Sequence, residues 1–183
     1  MRPSVLEEGI AAVALTEDQI ADRVRELGQE IARDYEGLEP VLVGVLKGMF
    51  IFMADLVRAI PIPLVVDFMA ISRYGPTAKT KGVVRIVKDL DVSITGRHVL
   101  FVEDIIDTGM TLNYILKTLS SRRPASLKVC ALVDVPRRRI IDLPIAYRGF
   151  TVEDGFLVGY GLDYREKYRN LPYMALLDER RPG

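Results

Sequence analysis

The chain has 183 residues, 49% of them hydrophobic, which suits one globular domain with room for a small appended lobe. Lys and Arg total 25 and Asp and Glu total 25, so the overall charge does not point to a nucleic-acid partner. Cys130 is the single cysteine, which excludes a disulfide framework and a cysteine-based metal site.

Near the start, Glu7 and Glu8 stand where a secretory signal needs apolar residues. The longest apolar region, Met49 to Val66, is broken by Asp55, Arg58 and two prolines, so nothing in it reads as a membrane span. The expected location is the cytoplasm. Thr16 and Gln19 have the spacing of a capping box, and Ile20, Val24, Leu27 and Ile31 follow at helical intervals, with Gly37 past the end. The run VLVGVL, 41–46, predicts a buried strand, and MFIFMADLVRAI predicts a helix closed by Pro61. LVVDFMAI is the next strand. The polar stretch SRYGPTAKTKG, 72–82, is the expected mobile loop, and VVRIV after it suits a hairpin partner. HVLFV and LKVCALV are further buried strands, with a helix between them marked by Leu112, Ile115, Leu116 and Leu119. AYRGF, FLVGYG and YMALL are short strand candidates in an irregular tail. Strands alternating with helices indicate an α/β fold with a parallel sheet, whose ligands bind beyond the carboxyl ends of the strands.

The stretch VLFVEDIIDTGMTL, 99–112, concentrates the chemistry. Glu103 and Asp104 fall where a buried strand ends, and Asp107 lies in the loop after it. Thr108, Gly109 and Thr111 come at a helix N-terminus, where free backbone N–H groups and the positive dipole end suit a phosphate. Neither a Walker A sequence nor a Gly-x-Gly-x-x-Gly run is present. Acids beside a phosphate cradle need a cation between, or hydroxyls to accept from. A phosphorylated sugar with vicinal hydroxyls meets both demands. By spacing alone, an ordinary acidic loop capped by Asp107 or Thr108 fits equally well.

The same stretch resembles the phosphoribosyl-diphosphate (PRPP) motif of type I phosphoribosyltransferases. VGVLKGMFIFMADLVRAI, SRYG and FLVGYGLDYREKYRNLPY are similar to the hypoxanthine-guanine branch in bacteria, and the likeness runs from about Thr16 to about Leu177. The resemblance implies a single α/β domain over 1–183. Its parallel-sheet core would lie at about 40–135, and a hood would come from the N-terminal helix region and about 140–180. It implies transfer of phosphoribosyl to N9 of a 6-oxopurine with release of pyrophosphate. Asp107 would act at N7 of the base. Glu103 and Asp104 would engage the ribose, directly or through magnesium, and Thr108, Gly109, Met110 and Thr111 would hold the 5-phosphate. Leu46, Lys47 and Gly48 match a pyrophosphate loop with a non-proline cis peptide, and Arg169 would contact pyrophosphate. Phe156 and Leu157 would receive the purine, and Asp163 would help hold a second magnesium. A homodimer or homotetramer is implied.

Two positions depart from that pattern. The flexible loop reads Ser72, Arg73, Tyr74, Gly75, with arginine where the branch has a second serine. After ALVD the branch has a lysine that donates to the purine 6-oxo group, and here Val135 stands in its place, which bears on base choice. Xanthine or a non-purine base, or a PRPP-fold regulator binding nucleotide or RNA without turnover, are the competing expectations. His98 and Cys130 read as structural, and Arg122, Arg123 and Arg137–Arg139 as solvated faces.

Overall fold

The structure is a computed structural model and describes residues 8–73 and 84–178. The expected loop therefore lies largely outside the described residues, Tyr74 and Gly75 included. Ser72 and Arg73 end a strand.

A six-stranded sheet forms the body. Its strands are β2 (Val41–Leu46), β3 (Val65–Arg73), β4 (Val84–Lys88), β5 (His98–Ile106), β6 (Ser126–Asp134) and β7 (Tyr147–Thr151), in the order β4-β3-β2-β5-β6-β7. All neighbours are parallel except β3 and β4, the expected hairpin. Helix α1 (Glu17–Asp34) begins at the predicted capping box, with Thr16 accepting from the Gln19 N–H and Gln19 accepting from the Thr16 N–H. Its stripe of Ile20, Val24, Leu27 and Ile31 is buried against α2 (Phe50–Ala59), and both helices share the core on one face of the sheet. Gly28 permits the close crossing, since a Cβ there would stand 2.4 Å from the Ala59 carbonyl oxygen. Helix α3 (Met110–Ser120) covers the other face through Leu112, Ile115 and Leu119.

This arrangement fixes where a ligand can bind. The connection β2-α2-β3 runs toward one edge and β5-α3-β6 toward the other, so the winding reverses between β2 and β5. Right-handed crossovers then put α2 and α3 on opposite faces and leave a crevice at the carboxyl ends of those two strands.

A second sheet has the order β1-β9-β8, from β1 (Ile10–Leu15), β8 (Leu157–Val158) and β9 (Met174–Leu177). Strand β1 is absent from the sequence-based expectations. IAAVAL is a short apolar run with no alternation, and only its distant pairing with β9 makes it a strand. Helix α1 packs on the large sheet's helix layer, and β7 pairs with β6 at its edge. Strand β5 also runs further than expected, through both acids to Ile106, because Glu103, Ile105 and Ile106 remain paired with β6. His98 has the structural role expected of it: its Nδ1 lies 2.8 Å from Ser126 Oγ, and its ring meets Tyr35 edge-on.

Asp67 on β3 ties down the turn after β4. It is 5% exposed and accepts from the backbone N–H groups of Phe68, Asp91 and Val92. Burial alone would push its carboxyl up, but those three donors and nearby Lys88 hold it below the usual carboxylate range. Its contribution to stability is thus complete above the unfolded pKa, about 4, and is lost as pH falls through the lower folded value. Asp67→Asn should cost about 1–3 kcal/mol at pH 7, because an amide turns a donor toward these N–H groups. Its urea midpoint should also fall less steeply than the parent's below about pH 4. Parallel curves for the two proteins would count against the assignment.

Candidate active site

Three backbone segments meet in the crevice. The first is the turn after β2, where the Leu46–Lys47 peptide is cis. Gly48 there is pressed against Asp104, whose Oδ2 would lie 1.9 Å from an added Cβ. The second is the carboxyl end of β5 with the turn 107–109. The third is the segment around Gly161, where an added Cβ would lie 2.0 Å from the Gly48 carbonyl oxygen, so these glycines allow direct backbone approach.

The resulting cavity measures about 330 Å³. Lys47, Gly48, Asp104, Asp107 and Val135 line it, together with Phe156, Leu157, Asp163 and Arg169. Nine residues named from the sequence therefore share one space, although they are spread from position 47 to position 169. A neighbouring cavity of about 280 Å³ adds Leu46, Glu103 and Thr111. Gly109 is the N-cap of α3 at φ 78°, a conformation that favours glycine, and the Met110 N–H lies 3.4 Å from Thr108 Oγ1. Thr111, in the first turn of that helix, lines the smaller cavity.

The charges divide into two groups. Asp104 is deeply buried, and burial pushes its carboxyl up to about 6, against the pull of the Ile105 N–H and Arg169. Arg169 donates to the Gly161 carbonyl oxygen at 2.8 Å and pairs with Asp163 at 2.7 Å. Glu166 bridges Arg169 (3.2 Å) and Lys47 (3.1 Å), so one carboxylate joins the two cations expected to face pyrophosphate. Phe156 meets Tyr164 edge-on at 5.7 Å and lines the same cavity as Leu157 and Val135.

The three expected metal-holding acids do not form one cluster: no group of three metal-ligating side chains occurs among the described residues. Successive side chains on a strand point to opposite faces. Glu103 shares the smaller cavity with Thr111 and Ile115 of α3; Asp104, against Gly48, lines both cavities, and Asp163 lines only the larger, paired with Arg169.

Arg139 was expected on a solvated face and is corrected by the structure, whereas Arg137 and Arg138 are exposed as expected. Pro136–Arg138 form a 3-10 turn. Arg139 folds inward, 13% exposed, pairs with buried Asp134, and donates through Nε to the Asp107 carbonyl oxygen at 2.8 Å. Arg138 lines the larger cavity. Proline at the first position of a turn was the available sequence signal.

The phosphoribosyl transferase domain family matches residues 14–165 of the chain. The chain belongs to that family. Among its curated relatives is the hypoxanthine-guanine phosphoribosyltransferase of Mycobacterium avium, 49% identical over 186 residues, with 98% of this chain and 92% of that protein covered. The Bacillus subtilis (strain 168) protein of the same name is 44% identical over 173 residues, covering 94% and 96%. Among solved structures, a hypoxanthine phosphoribosyltransferase from Staphylococcus aureus superposes with a TM-score of 0.90 at 45% identity, covering 97% of this chain and 96% of that one. The phosphoribosyltransferase architecture expected from the sequence is the one observed.

Proposed function

We propose that this protein is a hypoxanthine-guanine phosphoribosyltransferase, moving the 5-phosphoribosyl group of PRPP to N9 of the base and releasing pyrophosphate. The observation that carries this reading is the shared cavity, lined by the cations Lys47 and Arg169, by Asp107, and by Phe156 and Leu157. Thr111, in the first turn of α3, lines the neighbouring cavity.

Each residue has a role that its surroundings support. Backbone N–H groups and hydroxyls from Thr108 to Thr111 hold the 5-phosphate. Lys47, Gly48 and Arg169 hold the diphosphate, whose oxygens take the place now filled by the Glu166 carboxylate. Phe156 stacks on the purine and Leu157 offers backbone polar groups to its edge. Asp107 accepts or stabilises the proton at N7 as the bond to N9 forms.

Magnesium fits the carboxylates present. It is commonly held by one or two carboxylates with the remaining ligands from substrate oxygens and water, so a closed protein cage is not required. Asp104 with Glu103 would hold one ion and Asp163 a second, and the bound ion supplies charge neutralisation of the diphosphate. A cation there favours the ionised form of Asp104, against the burial that raises its pKa. Replacing Glu103 and Asp104 together by Gln and Asn should raise the magnesium and PRPP concentrations needed for half-maximal rate by about tenfold or more. Titration curves that coincide with the parent's would remove these acids from substrate binding.

The deciding experiment is a panel of hypoxanthine, guanine, xanthine and adenine with magnesium and PRPP, followed by pyrophosphate release. Transfer to hypoxanthine and guanine is expected. Release with xanthine alone would favour the second reading, a PRPP-dependent transferase for another base, which Val135 in the cavity wall motivates. No release with any base would favour a non-catalytic binder. A cytoplasmic homodimer or homotetramer accompanies the proposal, and light scattering checks the assembly.

A further inference from the structure

We propose that Arg138, held by Asp154, is the donor that reads the exocyclic oxygen of the base, a specificity-determining role left open by Val135. The inference rests on the transferase reading above. Position 135 is 2% exposed and lines the cavity, so the wall beside Phe156 and Leu157 is apolar at that point. A base bearing a 6-oxo group would bring an acceptor against that wall with nothing there to donate to it.

The 3-10 turn supplies the replacement. The Arg138 N–H donates to the Val135 carbonyl oxygen at 3.2 Å and closes the turn. In this geometry residues three apart eclipse, so Arg138 stands on the same side as Val135, about one short turn away. Both line the cavity. The arginine side chain is long enough to carry a cation past the valine to the base. The two neighbouring arginines do not compete for this role. Arg139 is committed to Asp134 and to the carbonyl oxygens of Ile106 and Asp107, and Arg137 is exposed and does not line the cavity.

Asp154 sets the orientation. Arg138 Nε and one terminal nitrogen both reach Asp154 Oδ1, at 2.8 and 2.7 Å. The same oxygen accepts from the Gly155 N–H at 2.8 Å, two residues before Leu157. The tether therefore joins the arginine to the segment expected to receive the base. It occupies one edge of the guanidinium and leaves the second terminal nitrogen without a hydrogen-bond partner among the described residues. The pair is partly exposed, 38% and 56%, so little is lost when the head group shifts toward a ligand. A guanidinium only donates. It matches a 6-oxo acceptor and opposes a 6-amino donor, which discriminates in the direction this chemistry requires.

The test is Arg138→Met, with Arg138→Lys and the double variant Arg138→Met/Val135→Lys beside it. For Arg138→Met the KM for hypoxanthine and for guanine should rise on the order of 10- to 100-fold, the range of a lost charge-assisted hydrogen bond. KM for PRPP and the urea midpoint should stay near the parent's, and kcat/KM for adenine should not fall. Arg138→Lys and the double variant should each recover part of the oxopurine affinity. An Arg138→Met enzyme with the parent's oxopurine KM overturns the assignment, as does one in which PRPP and base KM rise together. If Arg138→Met does not fold, Asp154→Asn decides: a severalfold rise in oxopurine KM alone supports the role, and an unchanged KM overturns it. A parent enzyme inactive with hypoxanthine and guanine overturns the hypoxanthine-guanine reading as well, so the two failures are distinguishable.

Discussion

Asp107→Asn should lower kcat by about 10²- to 10⁴-fold, the usual contribution of a general acid–base group, while PRPP affinity stays within a few-fold of the parent's. The asymmetry follows from the site's construction. Asp107 is exposed to the cavity, and its carboxylate has only a weak contact, 3.4 Å from the Thr108 hydroxyl. The charge is thus free to act on a substrate. Its backbone is held independently, through the Asp107 carbonyl oxygen and Arg139, and the asparagine variant keeps that bond. The proposed phosphate cradle begins at the next residue and would rely on N–H groups and hydroxyls. Single-turnover kinetics with equilibrium PRPP binding would separate the two effects. Unchanged turnover removes Asp107 from the chemistry.

Asp134→Ala should destabilise the protein by about 3–5 kcal/mol, because it strands a buried cation. The Asp134 side chain is 3% exposed and Arg139 13%, so Arg139 has little access to water once its partner is gone. Arg148 also reaches Asp134, at 2.9 Å, but is half exposed and readily resolvated. A double variant, Asp134→Ala with Arg139→Met, should regain part of the loss, since removing both charges avoids the unpaired one. Arg139 also anchors the carbonyl oxygens of Ile106 and Asp107. The single variant should therefore lose turnover beyond what its folded fraction explains. Urea unfolding with matched activity measurements checks both statements. A stability loss under about 1 kcal/mol would show that the pair is dispensable.

Much of this protein was legible along the chain because the relevant signals are local. The capping box at Thr16 and Gln19 and the stripe from Ile20 to Ile31 are helix signals complete within two dozen residues, and α1 formed where they predicted it. Continuous apolar runs marked β2, β5 and β6, since strands buried on both faces need no alternation. The acids and threonines from Glu103 to Thr111 declared a strand-to-helix turn with room for a phosphate. What local patterns do not contain is pairing between distant segments. Strand β1 exists because β9 hydrogen-bonds to it, and β5 continues past Glu103 because β6 continues beside it. The three acids at 103, 104 and 163 share chemistry in the sequence, but Glu103 lines only the smaller cavity and Asp163 only the larger, with Asp104 between them lining both. The arginine run at 137–139 looked uniform, and only tertiary packing distinguished its members. A buried aspartate captured Arg139, the 3-10 turn brought Arg138 to the cavity, and Arg137 stayed in solvent. Charge type is a property of the residue, whereas its partner and its desolvation are properties of the fold.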